Sequence, residues 1–268
     1  RYLLADRLRR RLVGVPRGLR QAAGVLARAL PPGGWDLAFR LARSSGPAGL
    51  RGQWSGDRVH KLAALLRIDD PDQLYHAVIS AIDQPCTLVV DGDEPPTAFT
   101  DPAQRPALTE YAERMMYFDA LTYLPENIMA KVDRTSMAVS LETRAPLLDH
   151  RLVEFAWQLP LEAKIRAGQG KWLLRQVLYR HVPQALVDRP KRGFAVPLAS
   201  WLRGPLRDWA EALLDPARLR QEGWFEPEPI LHKWREHVAG HRNWDSRLWG
   251  VLMMQAWLDR YRAGAEQG

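Results

Sequence analysis

With 268 residues, 46% of them hydrophobic, the chain can bury a large core, which excludes a disordered protein. No apolar run nears the roughly 20 residues of a membrane span, and the opening residues do not read as a secretory leader; with Cys86 the lone cysteine, an internal disulfide is excluded and a cytoplasmic setting is expected. The net charge of +7 points to an acidic partner or substrate, and lysines are so scarce among the 38 basic residues that each marks a position where an ammonium is a candidate requirement.

Residues 1–30 read as helix interrupted near Gly14-Val15-Pro16, with a basic face weighed as solvated rather than as a phosphate or RNA contact. PPGG at 31–34 reads as a turn, 35–43 as a short helix and 44–56 as a glycine- and serine-rich loop. Two amphipathic helices follow at 58–67 and 71–82, the second with Asp70 as its N-cap. Residues 87–90 (TLVV) form the one strand-like run. The acidic, proline-rich stretch after it lacks the ligand spacing of an EF-hand and reads as a surface loop.

The stretch 117–149, YFDALTYLPENIMAKVDRTSMAVSLETRAPLLD, superposes helical periodicity and dense charge. Leu121, Leu124, Ile128, Val132, Met137 and Leu141 recur at helical spacing and predict a buried face. Glu126, Asp133, Arg134, Glu142 and Arg144 crowd that face, which predicts a cleft or a paired charge network. Helices are then predicted at 152–159, 171–181, 201–214, 230–238 and 247–261, with a turn or short helix at 183–187. The tryptophans concentrated near the C-terminus read as helix-packing residues rather than base-stacking ones.

Three residues carry candidate chemistry. Glu126 follows Pro125 and is expected in the first turn of a helix, where a carboxylate is stabilised by free N–H groups and the dipole; plain helix-terminal charge is the competing reading. Lys171 follows Gly168-Gln169-Gly170 and opens a helix, an anion-binding arrangement in principle, although the spacing is not that of a P-loop. Lys191 lies in RPKRGF with Arg189 and Arg192, a basic loop suited to closing over phosphate, with a merely exposed loop as the alternative. No Ser-His-Asp pattern and no metal-ligand spacing is visible, so no metal ligand is assigned.

The run YLPENIMAKVDRTSMAVSLETRAPLLDHRLVEFAWQLP resembles the synthetase domain of glutamine-hydrolysing asparagine synthetases. GKWLLRQVL, RPKRGFAVPLASWLRGPLRDW and RNWDSRLWGVLMMQAWL continue the resemblance in order. The resemblance implies a mainly α chain: the helical C-terminal portion of an α/β ATP-pyrophosphatase domain of the adenine nucleotide α-hydrolase type, lacking most of the parallel sheet. It is divided here into a helical region, 1–116, and a core region carrying the motifs, 117–268. Neither the Ser-Gly-Gly-x-Asp-Ser loop of such domains nor their Gly-Asp-Glu segment leading into a Gly-Gly-Tyr turn occurs in it; Gly92-Asp93-Glu94 runs into prolines instead.

By resemblance, the reaction activates the aspartate side-chain carboxylate with ATP and Mg²⁺ as an acyl-adenylate, releasing pyrophosphate. Ammonia from an N-terminal glutaminase domain then attacks. Glu126 matches an acid near the acyl acceptor. Lys171 and Lys191, with Arg192, match the phosphate side, and Asp133, Arg134, Glu142 and Arg144 a supporting charge network. The implied partners are the glutaminase domain and the ATP-loop half of the synthetase domain, with a homodimer allowed and nucleic acid disfavoured. The chain alone is expected to be inactive. A relative acting on another carboxylate, including β-lactam formers, and a non-catalytic basic binding module stay open as alternatives.

Overall fold

Arginine- and leucine-rich sequence at the start forms α1 (Tyr2–Val13) and α2 (Arg17–Ala29), separated at Gly14–Pro16 because proline cannot continue a helix. This computed structural model describes residues 2–45, 55–80, 82, 84–189 and 196–265. PPGG is more than a turn: α3 (Pro32–Ser45) begins inside it, with Pro32 at the first helical position, where its missing N–H costs nothing. Most of the expected 44–56 loop lies outside the described residues. α4 (Gly56–Leu65) is capped by Ser55, and α5 (Pro71–Ile79) by Asp70, whose Oδ1 accepts from Asp72 N at 2.8 Å.

The strand expected at 87–90 is reduced to one antiparallel bridge, Val89 to Phe225. Val90 N donates to Trp224 O at 3.1 Å and Glu226 N to Leu88 O at 2.9 Å. The preceding 3-10 turn, Pro85–Thr87, uses up the residues that would have extended the ladder.

Helix α6 (Tyr111–Leu121) starts before the 117–149 stretch and runs through a π-helical turn (Tyr123–Met129) into α7 (Ala130–Met137). The helix stops there rather than at 149: Ser140 is left-handed at φ 57°, and the chain reaches only a 3-10 turn at Pro146–Leu148. Asp149 caps α8 (His150–Gln158), followed by α9 (Leu161–Lys164). The regular two-stranded sheet among the described residues, β1 (Ile165–Arg166) with β2 (Gln169–Gly170), was not expected from the sequence. Its two-residue loop has Ala167 at φ 49° and Gly168 at φ 76°, the backbone of a type I′ turn.

Helices α10 (Trp172–Leu178) and α11 (Gln184–Val187) precede α12 (Leu198–Arg203) and α13 (Arg207–Leu213). The single helix expected at 201–214 is thus split at Gly204-Pro205. α14 (Pro216–Glu222), also unexpected, is started by Asp215, whose Oδ1 accepts from Arg218 N at 2.8 Å, with Pro216 at the first position. α15 (Pro227–Val238) and α16 (Asp245–Ala265) close the described chain.

Two compact units interleave along the sequence: residues 1–8 with 101–194 (unit 1), and 9–100 with 195–268 (unit 2). These units are divided at 8/9, 100/101 and 194/195, the segment 9–100 grouping with the C-terminal helices. In unit 2, Leu202, Leu214, Leu219, Ile230, Leu248 and Leu252 are fully buried, with Trp234 and Trp244 packed into the same cluster. Burying each such aliphatic side chain stabilises the fold by about 1.5–3 kcal/mol before conformational entropy is set against it.

Unit 1 buries much less. Its buried apolar residues among those described are Ala5, Tyr111, Met115 and Phe118. The stripe expected to be covered is open: Leu121, Ile128, Val132, Met137 and Leu141 are all exposed, Leu141 at 59%. The packed side of α6 lies on Tyr111, Met115 and Phe118, one to two turns earlier than the sequence pattern suggested. Unit 1 is held in part by polar links, Tyr2 OH to Asp119 Oδ2 at 2.7 Å and Lys164 Nζ to Glu113 Oε1 at 2.7 Å, the latter pair largely screened from solvent.

Candidate functional site

Glu126 occupies the π-helical turn between α6 and α7 and is exposed. Its backbone N–H is spent on Thr122 O at 3.1 Å, so the expected stabilisation by free amides at a helix start does not apply. α7 follows the π turn directly, whereas Thr122, at φ −120° and ψ −67°, separates it from α6, and Pro125, lacking an N–H, interrupts its ladder. Single π turns of this kind widen the helix locally and are found disproportionately at functional positions.

Lys171 is the residue between the hairpin and α10. It adopts the left-handed conformation, φ 58° and ψ 37°, as the N-cap of α10 without a capping side-chain bond. For a side chain with a Cβ this costs about 1–2 kcal/mol, which glycine would not incur. Lys171 is exposed and makes no hydrogen bond or ion pair among the described residues. The hairpin beneath it is held by Arg166, whose guanidinium stacks over the Trp172 ring at 4.0 Å.

The expected charge network is looser than the sequence suggested. Asp133 pairs with its neighbour Arg134 at 3.2 Å, with side chains 52% and 85% exposed. Glu142 pairs with Arg144 at 2.6 Å, again in the open. Exposed pairs of this type contribute about 0–1 kcal/mol each. Neither Glu126 nor Lys171 bonds to the other or to these four residues among the described ones. Lys191 and Arg192 lie outside the described residues.

A tighter network was missed in the sequence. Asp188 accepts from the Tyr179 hydroxyl at 2.9 Å and from Gln184 Nε2 at 2.8 Å, and it is paired with Arg175. The Gln184 amide, the Tyr179 hydroxyl and then the Arg175 charge hold its carboxyl below the usual range. Arg175 also donates from Nε to Gly170 O at 3.2 Å, fixing the residue before Lys171. Arg175 and Tyr179 are four apart, on α10 and at its C-cap, but their partner Asp188 lies nine residues past Tyr179, beyond α11, so no local spacing marks the network.

The model of the asparagine synthase family matches residues 19–259. The chain belongs to the asparagine synthase family. It is similar to asparagine synthetase [glutamine-hydrolyzing] 1 of Bacillus subtilis, 30% identical over 144 residues, covering 54% of this chain and 22% of that protein. A putative asparagine synthetase of Mycobacterium bovis is 37% identical over 146 residues, with the same coverages of 54% and 22%. The asparagine synthetase of Mesocricetus auratus is 28% identical over 149 residues, 48% of this chain and 25% of that one. The matched part therefore spans about a fifth to a quarter of the length of these curated relatives. No solved structure matches. Family membership agrees with the helical architecture found here, as the helical part of a synthetase domain.

Proposed function

We propose that the chain supplies the helical wall of a site that amidates the aspartate side-chain carboxylate, using ATP and ammonia released from glutamine. The family match across residues 19–259 carries this reading. Its support in the structure is local. Lys171 is held in a costly left-handed conformation with its ammonium unpartnered among the described residues, as a cation kept for an incoming phosphate would be. Glu126 stands on a π turn, exposed toward whatever binds there.

In this reading ATP activates the carboxylate as an acyl-adenylate, and charge accumulates on the phosphates as pyrophosphate leaves. Lys171 and Lys191, assisted by Arg192, lower the energy of that charge, and removing such a preorganised group costs about 10²- to 10³-fold in rate. Glu126 acts at the acyl centre, where the amine must lose a proton as the amide forms. Asp133–Arg134 and Glu142–Arg144 set the surface behind it. Adenine binding falls to the ATP-loop half of the domain, and ammonia comes from a glutaminase domain.

The family also implies Mg²⁺. Among the described residues no three His, Cys, Asp or Glu side chains gather to hold an ion, and no step is assigned to it here. No helix among the described residues is long and apolar enough to cross a membrane, and a cytoplasmic enzyme is the proposed setting.

The experiment is product analysis of the complete protein given ATP, glutamine and aspartate. Formation of asparagine with stoichiometric pyrophosphate supports the proposal. Pyrophosphate release that requires a carboxylate other than aspartate would replace the substrate, and no carboxylate-dependent release would overturn the reaction class.

A further inference from the structure

Unit 2 contains a cleft of about 1060 Å³ that involves none of the candidate site residues above. Such a volume is at the upper end of pockets that enclose small organic ligands, roughly 300–1,000 Å³. One wall is apolar, built from Ala64 and Ile68 around α4 and Val78 on α5. The segment before α16 and the first turn of α16 add Arg242 and Arg247 to the lining, while α2 and α4 contribute Arg28 and Lys61.

The charge balance of this cleft is uneven. Two aspartates line it against four arginine or lysine side chains, and both are already committed. Asp57 accepts from Arg242 Nε at 3.0 Å, and Asp245 accepts from Ser246 N at 2.6 Å and Asn243 Nδ2 at 3.1 Å. Lys61 and Arg28 make no hydrogen bond or ion pair among the described residues. Arg242 and Arg247 are fixed over the buried Trp244 ring, at 4.0 and 4.7 Å from its centroid. A smaller recess of about 150 Å³ shares Trp244 and Arg247 with the cleft and adds Lys233.

Asp57 offsets Arg242, yet four basic side chains against two aspartates leave the cleft positive, and an anion bound there accepts several charge-assisted hydrogen bonds. Because guanidinium groups already cover the Trp244 ring, it is no platform for stacking the bases of a nucleic-acid strand. We propose that this cleft binds a small phosphomonoester, with the phosphate between Arg242, Arg247 and Lys61 and an organic body against Ala64, Ile68 and Val78. The proposal does not depend on the amidation reading.

Calorimetric titration of the 268-residue chain with phenyl phosphate, inorganic phosphate, benzoate and phenol tests it. Phenyl phosphate is expected to bind saturably and more tightly than inorganic phosphate or benzoate, with phenol silent. Lys61→Met and Arg247→Met should each weaken it about 10- to 100-fold, the loss of one charge-assisted contact. Arg151→Gln, whose partner Asp149 lies in unit 1, should leave it unchanged. Circular dichroism of each variant confirms that it is folded. Absence of saturable binding at about 10 mM phenyl phosphate overturns the proposal, since a constant that weak is under 3 kcal/mol of affinity. Equal affinity in the Lys61→Met and Arg247→Met variants overturns it as well. Tighter binding of a single-stranded oligonucleotide than of phenyl phosphate would replace it with a nucleic-acid surface.

Discussion

Replacing Lys171 with glycine separates structural need from functional need at one position. The left-handed backbone there costs lysine about 1–2 kcal/mol, and glycine removes that cost. Glycine also adds conformational freedom to the unfolded chain, which takes back about 0.4–1 kcal/mol. The Lys171 side chain has no hydrogen bond or ion pair among the described residues, so little else is lost. The net expectation is a gain of roughly 0.5–1 kcal/mol, or about 1–4 °C in thermal midpoint for a chain of this size. Urea unfolding of the 268-residue chain followed by circular dichroism reads the difference directly. In the complete protein the same substitution should abolish synthesis. A loss of more than about 1 kcal/mol in Lys171→Gly would refute the reasoning, because the lysine would then be a packing residue.

Three further outcomes follow from the geometry. His237 is buried on α15, with Nδ1 accepting from Trp244 N at 3.2 Å. Desolvation first and the Arg203 charge second push its pKa below 6.5, against weaker pulls from the Ala199 backbone and Asp245. Folded protein therefore binds fewer protons than unfolded below that pH, so thermal midpoints should fall as pH drops below about 6.5, and His237→Gln should flatten that slope. Asp188 has a depressed carboxyl pKa, so its stabilisation is complete above 3.8 and disappears as pH falls through the folded value. Asp188→Asn should remove that part of the acid dependence, which an acid titration followed by circular dichroism will detect. Glu222 accepts from the buried Gln255 Nε2 at 2.6 Å and from Arg218 Nε at 3.1 Å. Glu222→Ala leaves Gln255 Nε2 only the long bond to Leu213 O and Arg218 only Asp259, and should destabilise the chain by about 1–2 kcal/mol in urea.

Local chemistry was the legible part of the fold. Asp70 and the Gly14–Pro16 break acted as their residue types dictate, because capping and ring closure need only neighbours. Trp234 and Trp244 pack into the core as expected, whereas the inference about the covered face of the 117–149 stretch failed. The stripe from Leu121 to Leu141 has helical spacing, yet in unit 1 it meets no partner. Periodicity reports that a face is apolar and says nothing of what packs on it. The β1–β2 hairpin escaped notice because Ala167 in a left-handed position is not a turn signature. At the candidate site, Lys171 was legible from its glycine-rich approach. The Asp188 hub was not, since its donors come from three places along the chain and only folding shows them converging. The π turn under Glu126 likewise has no simple sequence mark beyond Pro125.

The most direct test of the proposed role is the complete protein carrying Lys171→Met, assayed in parallel for aspartate-dependent pyrophosphate release and for glutamine hydrolysis. The account predicts a drop of about 100-fold or more in the first, with the second unchanged. Unchanged pyrophosphate release, or an equal fall in both activities, would contradict it.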